Sequence, residues 1–283
     1  MAKNADKNEI VAENDINNDI VAVENSAMMG LIAADAGSGL EEVDGDSFGI
    51  PYIVVLQALS PIVQDHVGDP NFMQGMFYNT VSKTTCKSFD FIPCHFQRRY
   101  IRWEKDAANG AAAFQGIYTP AEVELKASNG EMVKNEDGRY EITDDQGTGV
   151  LIDTRIHYVL YHNEELDSWE PAILSLSKTQ VKHSKRLMTL IRTIQFKVNG
   201  KTINPPSWAN IYTATTVKEK NDLGQWFSWN FTRKGIVKDA DIYGIAKNFH
   251  DSVIKGDIKV SQPVEEENAN KSQSNNSEDD DAF

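Results

Sequence analysis

The chain has 283 residues and a formal net charge of −14, which taken whole argues against a generic binder of polyanions. The charge is segregated, however: Met1–Ile50 holds 11 acidic residues and two lysines, Gln262–Phe283 holds seven acids and one lysine, and Pro51–Ser261 sets 25 basic residues against 24 acidic ones. No apolar run approaches the roughly 18 residues of a membrane span, no basic-then-apolar leader opens the chain, and Cys86 and Cys94 are too few to staple a domain, so a cytoplasmic setting is expected.

Residues 1–47 are rich in Asn, Asp, Glu and Ala, a composition that buries too little apolar surface to offset chain ordering, and are expected to be disordered. Only Ile20–Ala34 has enough apolar residues for a transient helix. The folded body is expected over 48–261. Pro51–Leu59 is apolar with a period that fits strand or helix, and Gly75–Val81 reads as a strand. Lys87–Glu104 reads as a long strand in which Pro93, unable to donate to a ladder, requires a bulge or an edge. Alternation puts Phe96, Arg98, Tyr100 and Arg102 on one face and Arg99, Ile101 and Trp103 on the other. Cations beside an aromatic ring suit a nucleic-acid strand, with phosphates meeting Arg98, Arg99 and Arg102 and a base stacking on Tyr100. Trp103 is assigned to the core.

Residues 107–149 read as an acidic insertion of hairpins, turning at Asn129-Gly130, Asp137-Gly138 and Gly147, with Asp144 and Asp145 as turn residues. Val150–His162 alternates as a strand, and Trp169–Ser177 is a strand that runs straight into a helix over Lys178–Ile194, with Ser177 as N-cap. On that helix Val181, Leu187, Leu190, Ile191 and Ile194 share one arc, and Lys178, Lys182, Lys185, Arg186 and Arg192 the opposite one. No acidic residue occurs from Pro171 to Lys218. Cations on a helix are normally interleaved with acids, so this face calls for an anionic partner outside the chain. Trp208–Glu219 and Gln225–Arg233 read as a hairpin, with Trp226 on the face opposite Phe227, Trp229 and Phe231 and hence an exposed aromatic. A last helix spans 239–255, capped by Asp241 and stopped by Gly256. Residues 262–283 are polar and acidic and are expected to be disordered.

The order long strand, strand, strand, helix, strand, strand is that of an OB-fold. The fold class expected is mainly β with helices (α+β), an OB-fold-like Greek-key barrel with insertions and acidic ends. The terminal run Asp279-Asp280-Asp281-Ala282-Phe283 resembles the acidic tail, closed by Phe, of bacterial and phage single-stranded-DNA-binding proteins. That resemblance implies sequence-nonspecific binding of single-stranded DNA in replication or recombination. It also implies a tail that recruits partner proteins through Asp279, Asp280, Asp281 and Phe283 and competes for the DNA groove. Bacterial members carry Pro where this chain has Ala282, which points to the phage type. A homo-oligomer is compatible with this reading. The rival reading is an acidic interaction protein, or a DNA mimic inhibiting a host enzyme; it accounts for the net charge but not for the acid-free basic helix. No Gly-rich phosphate loop and no nucleophile beside a base is present, and Cys86, Cys94 and His95 are poorly spaced for zinc. No catalytic residue, cofactor or metal is therefore expected.

Overall fold

A computed structural model describes residues 26–35, 38–39, 49–105, 112–222 and 224–258. In chain order it holds α1 (Ser26–Ala34), β1 (Ile53–Val55), α2 (Pro61–Asp65), β2 (Phe77–Asn79), β3 (Thr85–Cys86) and β4 (Ser88–Glu104). There follow β5 (Phe114–Tyr118), α3 (Pro120–Ser128), β6 (Met132–Lys134), β7 (Tyr140–Asp144), β8 (Gly147–Asn163) and β9 (Ser168–Ser177). The remainder is α4 (Val181–Arg192), β10 (Phe196–Val198), β11 (Lys201–Ile203), β12 (Asn210–Asn221), β13 (Gly224–Ile236) and α5 (Ala240–Lys255). The fold is mainly antiparallel β with helices. The parts of the acidic ends at 1–25 and 259–283, including Asp279, Asp280, Asp281 and Phe283, lie outside the described residues.

Two 17-residue strands, β4 and β8, form the spine, pairing antiparallel from Phe91 opposite Tyr161 to Glu104 opposite Gly149. At one end β12 joins β4 and β9 joins β8, giving the spatial order β12–β4–β8–β9. Three consecutive strands with the fourth returning beside the first make a Greek key, and β13 extends it as the hairpin partner of β12. At the other end β5 takes the place of β12 beside β4, and β7 and β6 take the place of β9 beside β8. The spine therefore serves a barrel-like body at one end and a projecting wing at the other.

Pro93 produces the bulge its missing donor requires: Pro93 pairs with Val159 and His95 with Tyr158, leaving Cys94 as the extra residue. The bulge reverses the alternation, so the row of Phe91 continues as Phe96, Arg98, Tyr100 and Arg102. Phe89, Phe91, Val159, Leu174, Trp229 and Phe231 fill the interior, closed at one end by Leu187 of α4. The outer face of the spine, with Ile92, Cys94 and Leu160, is covered by Ala246, Phe249 and Val253 of α5.

No ladder joins β9 to β13 among the described residues; two glutamine side chains take its place. The Gln57 amide donates to the Phe227 carbonyl and accepts from the Phe227 N–H, both at 2.9 Å. Gln180 repeats the pattern at longer range, with 3.4 Å to the Phe227 carbonyl and 3.4 Å from the Trp229 N–H. Gly75, at φ +86°, lies so close to Phe227 that an added Cβ would fall 2.6 Å from its ring.

The wing departs from an all-hairpin insertion, because it contains α3. Thr119 accepts from the Glu122 N–H, the Glu122 carboxylate accepts from the Thr119 N–H, and Pro120 sits at the first helical position. Two further caps differ from expectation. Ser177 makes no side-chain cap bond, because a tight turn at Lys178–Gln180 precedes α4. The cap of α5 is Asp239, accepting from the N–H groups of Asp241 and Ile242.

Candidate nucleic-acid interface

The interior row of the spine passes beneath α4 at Phe96 and His157, whose rings lie 5.0 Å apart. His157 Nε2 is 2.8 Å from the hydroxyl of Ser184 on α4. Burial holds the His157 imidazole down to about 3, with the Arg155 charge acting the same way, so it is neutral at physiological pH. Two residues further along each strand, about 7 Å on, the same row emerges as Arg98 opposite Arg155, and two further on as Tyr100 opposite Asp153.

There one carboxylate serves two guanidinium groups. Asp153 accepts from Arg98 Nε at 3.1 Å and Nη2 at 2.8 Å, and from Arg155 Nη2 at 2.9 Å. The hydrogen bond to Asp153 raises the Arg98 pKa further. The cluster carries one net positive charge, and the Arg98 side chain is 37% exposed. Arg98 Nη2 also donates to the Tyr100 hydroxyl at 2.6 Å, with the guanidinium 5.0 Å from the ring centroid.

α4 meets β8 through Ser184 and the hairpin β12–β13 through Lys182 and Arg186. Ser184 and Lys182 are two positions apart, which on a helix sets them on nearly opposite flanks. On the Lys182 flank, Lys182 Nζ is 2.7 Å from Glu219 Oε1 and Arg186 Nη1 donates to Asn230 at 3.0 Å. The other Glu219 oxygen accepts from Ser228 at 2.7 Å, and Ser228 accepts from the Trp226 indole at 2.9 Å. Burial works against ionised Glu219, but the bonds from Lys182 and Ser228 and the nearby His183 prevail and hold its carboxyl down to about 2. Lys185 and Arg192 occupy the outward crest of α4 and are exposed.

The structure thus exposes Lys182, Lys185, Arg186 and Arg192 on one helix, with exposed Lys178 just before it, and leaves Arg98 and Arg99 on β4 and Trp226 on β13 half-exposed. Arg99 lies on the opposite face of β4 from Arg98 and donates to the Arg98 carbonyl at 2.9 Å. Two expectations are corrected. Arg102 is 1% exposed and is clamped by both oxygens of Asp144, at 2.5 and 2.8 Å, and by the Gly147 carbonyl at 2.8 Å. It is a structural ion of the wing and reaches no phosphate, and Asp144 is its counter-ion rather than a mere turn residue. Tyr100 is half-buried: it packs against the wing core of Val123, Met132, Ile142 and Leu151, meets Tyr140 edge-on at 6.1 Å, and presents its ring to Arg98. It orients an arginine and is no open stacking platform.

The alternation of Val150–His162 points to its apolar face and leaves Asp153 and Arg155 without a role. Its other face carries Asp153, Arg155 and His157 at successive alternate positions, a polar row that a purely apolar core does not explain.

A family model described as Pam3 phage gp34-like protein matches residues 21–259. The chain belongs to the Pam3 phage gp34-like protein family. No curated protein and no solved structure matches it significantly. The family match spans every strand, the wing and α5, and it stops short of Asp279–Phe283. Family membership therefore rests on the body of this gp34-like protein and is independent of its acidic end. Among the described residues, no helix is long and apolar enough to cross a membrane and no group of three or more His, Cys, Asp or Glu side chains converges as metal ligands would.

Proposed function

We propose that this gp34-like protein binds single-stranded DNA without sequence preference, in phage DNA replication or recombination. The observation that carries the reading is the contact between His157 and Ser184, which sets the Arg98–Asp153–Arg155 cluster beside the cationic helix α4. Phosphates would meet Arg98, Lys178, Lys182, Lys185, Arg186 and Arg192, whereas Arg99, on the opposite face of β4, lies off this surface. Trp226, half-exposed and next to the Lys182 flank, would take a base for about 1–3 kcal/mol. The Greek-key order, with a helix between its third and fourth strands, supports an OB-fold-like barrel, a class that binds oligonucleotides on its strand face and loops. A family named for a phage protein fits the setting. On this reading the acidic run Asp279–Asp281 competes with DNA for the cationic surface, and Phe283 engages replication or recombination proteins once DNA displaces it.

The test is fluorescence anisotropy with labelled oligo-dT at several salt concentrations, using the full chain and a chain ending at Ser261. Binding by both, tighter for the shorter chain and weaker for each at high salt, is the expected result. Failure of both to bind at low salt overturns the proposal, and makes an acidic interaction protein the leading alternative.

A further inference from the structure

Between α4 and β12 the chain makes a hairpin that belongs to neither the barrel nor the wing. β10 and β11 form a two-stranded sheet of their own, with Phe196 opposite Ile203, Lys197 opposite Thr202 and Val198 opposite Lys201. The turn is Asn199-Gly200, both with positive φ (+50° and +76°), as a tight hairpin whose twist matches its strands demands. An isolated two-stranded hairpin is marginally stable, and this one exposes apolar side chains: Val198 is 47% and Ile203 43% exposed. Pairing sets Phe196, Val198 and Ile203 on one face together with Lys201, and Lys197 on the other. Among the described residues neither lysine has an ion-pair partner, and the hairpin lies within the stretch from Pro171 to Lys218 that contains no acid.

We infer that the β10–β11 hairpin is a second nucleic-acid contact, taking single-stranded DNA as it leaves the α4 crest: Lys197 and Lys201 meet phosphates and the Phe196–Val198–Ile203 face lies against bases. Charge complementarity selects this occupant. The cations run in chain order from Lys185 and Arg192 on the crest to Lys197 and Lys201 on the hairpin with no intervening acid. An apolar face that carries Lys201, with Lys197 on the back of the same narrow hairpin, matches the flat base and charged phosphate of a single strand. The inference rests on the DNA-binding reading above and adds to it a site outside the barrel.

The experiment compares the full chain with K197E/K201E on labelled 30-mer and 8-mer oligo-dT across a salt series. The expected result is a loss of affinity of about 10-fold or more on the 30-mer at low salt, with a salt dependence shallower by about 1.4 logarithmic units for two phosphates released. A smaller loss on the 8-mer is also expected. K197Q/K201Q should give an intermediate loss with unchanged thermal melting, and V198S/I203S should lower affinity while leaving the salt slope as it was. If the wild type binds and K197E/K201E shows the same affinity and slope, the hairpin is no DNA contact and the barrel reading stands. If K197E/K201E instead loses only binding to anionic phospholipid vesicles, the hairpin proposal is overturned in favour of a membrane surface. If the wild type binds no oligo-dT, both fall.

Discussion

The Nζ of Lys182 lies 2.7 Å from Oε1 of Glu219, and Glu219 is the first acidic residue after the acid-free stretch from Pro171 to Lys218. The acid that ends the basic segment in sequence thus folds back onto the first turn of its helix. His183 Nε2 approaches the same oxygen at 3.4 Å, and Ser228 fills the other. Glu219 and Asn230 thus tie one flank of α4 to the β12–β13 hairpin. Lys182 and Arg186 are tied to the hairpin, whereas Lys185 and Arg192 remain on the crest.

Substituting Glu219 by Gln keeps the shape and removes the charge. The loss should be about 1–2 kcal/mol, allowing for partial exposure, which for a body of this size is about 3–6 °C in melting temperature. The folded carboxyl is held below its ordinary value, so its contribution is fully present above about pH 4.5 and is lost as pH falls toward 2. E219Q should therefore flatten the acid limb of the stability curve in that window. Oligo-dT affinity should not fall, since Lys182 is released.

Arg102 and Gly149 test the wing. An added Cβ at Gly149 would meet Arg102 Nε at 2.3 Å and Gln115 Oε1 at 2.6 Å. Gly149→Ala should cost about 2–3 kcal/mol by displacing a buried arginine, and Arg102→Ala a similar amount by removing the partner of Asp144 and the Gly147 carbonyl. Because Arg102 touches no ligand surface, the salt dependence of DNA binding should be that of the wild type in both. A shallower slope in R102A would restore Arg102 as a phosphate contact.

The spine strands, the basic helix, the closing hairpin, the Pro93 bulge and α5 were legible because each carries a local signal: alternation, a helical stripe, a turn or a missing donor. The Thr119–Glu122 capping box and the Asn199-Gly200 turn are equally local signals, but the first sits in a stretch whose turn residues suggest hairpins alone, and the second in a short segment between a strong helix and a strong hairpin. The fate of Arg102 was not legible. Alternation places it on a face with Arg98 and Tyr100, but whether that face is open depends on α3, β6 and β7 folding over it, a long-range event with no trace in the strand itself. The same holds for Tyr100, whose ring is half taken by the wing core.

Gln57 offers a test of how the barrel is closed. Its amide meets both backbone groups of Phe227 at 2.9 Å, standing in for one rung of a ladder. Gln57→Ala leaves an N–H and a carbonyl short of partners, a cost of about 1–3 kcal/mol. The Phe227 amide should then exchange with solvent sooner than the amides of β4 and β8. Gln57→Glu keeps the acceptor but loses the donor, and should fall between the two. Equal protection of Phe227 in all three chains would mean that Gln180 and Gly75 suffice to hold β13.

His157 links α4 to the spine through a state of protonation. Its ordinary value is about 6.5 and burial lowers it to about 3 in the fold, so the unfolded chain binds the proton first. Stability from this group is complete above about pH 6.5 and declines as pH falls from there toward 3, a window above that of Glu219. In urea titrations the wild type should lose stability between pH 7 and pH 5. His157→Gln, which keeps a polar partner for Ser184 but does not titrate, should start lower at pH 7 and lose little over the same interval. Ser184→Ala should retain the pH dependence, because burial and not the hydroxyl is the main cause of the shift. A wild type whose stability is flat from pH 7 to 5 would mean that the imidazole titrates in the fold as it does in the unfolded chain, and that burial does not hold it neutral.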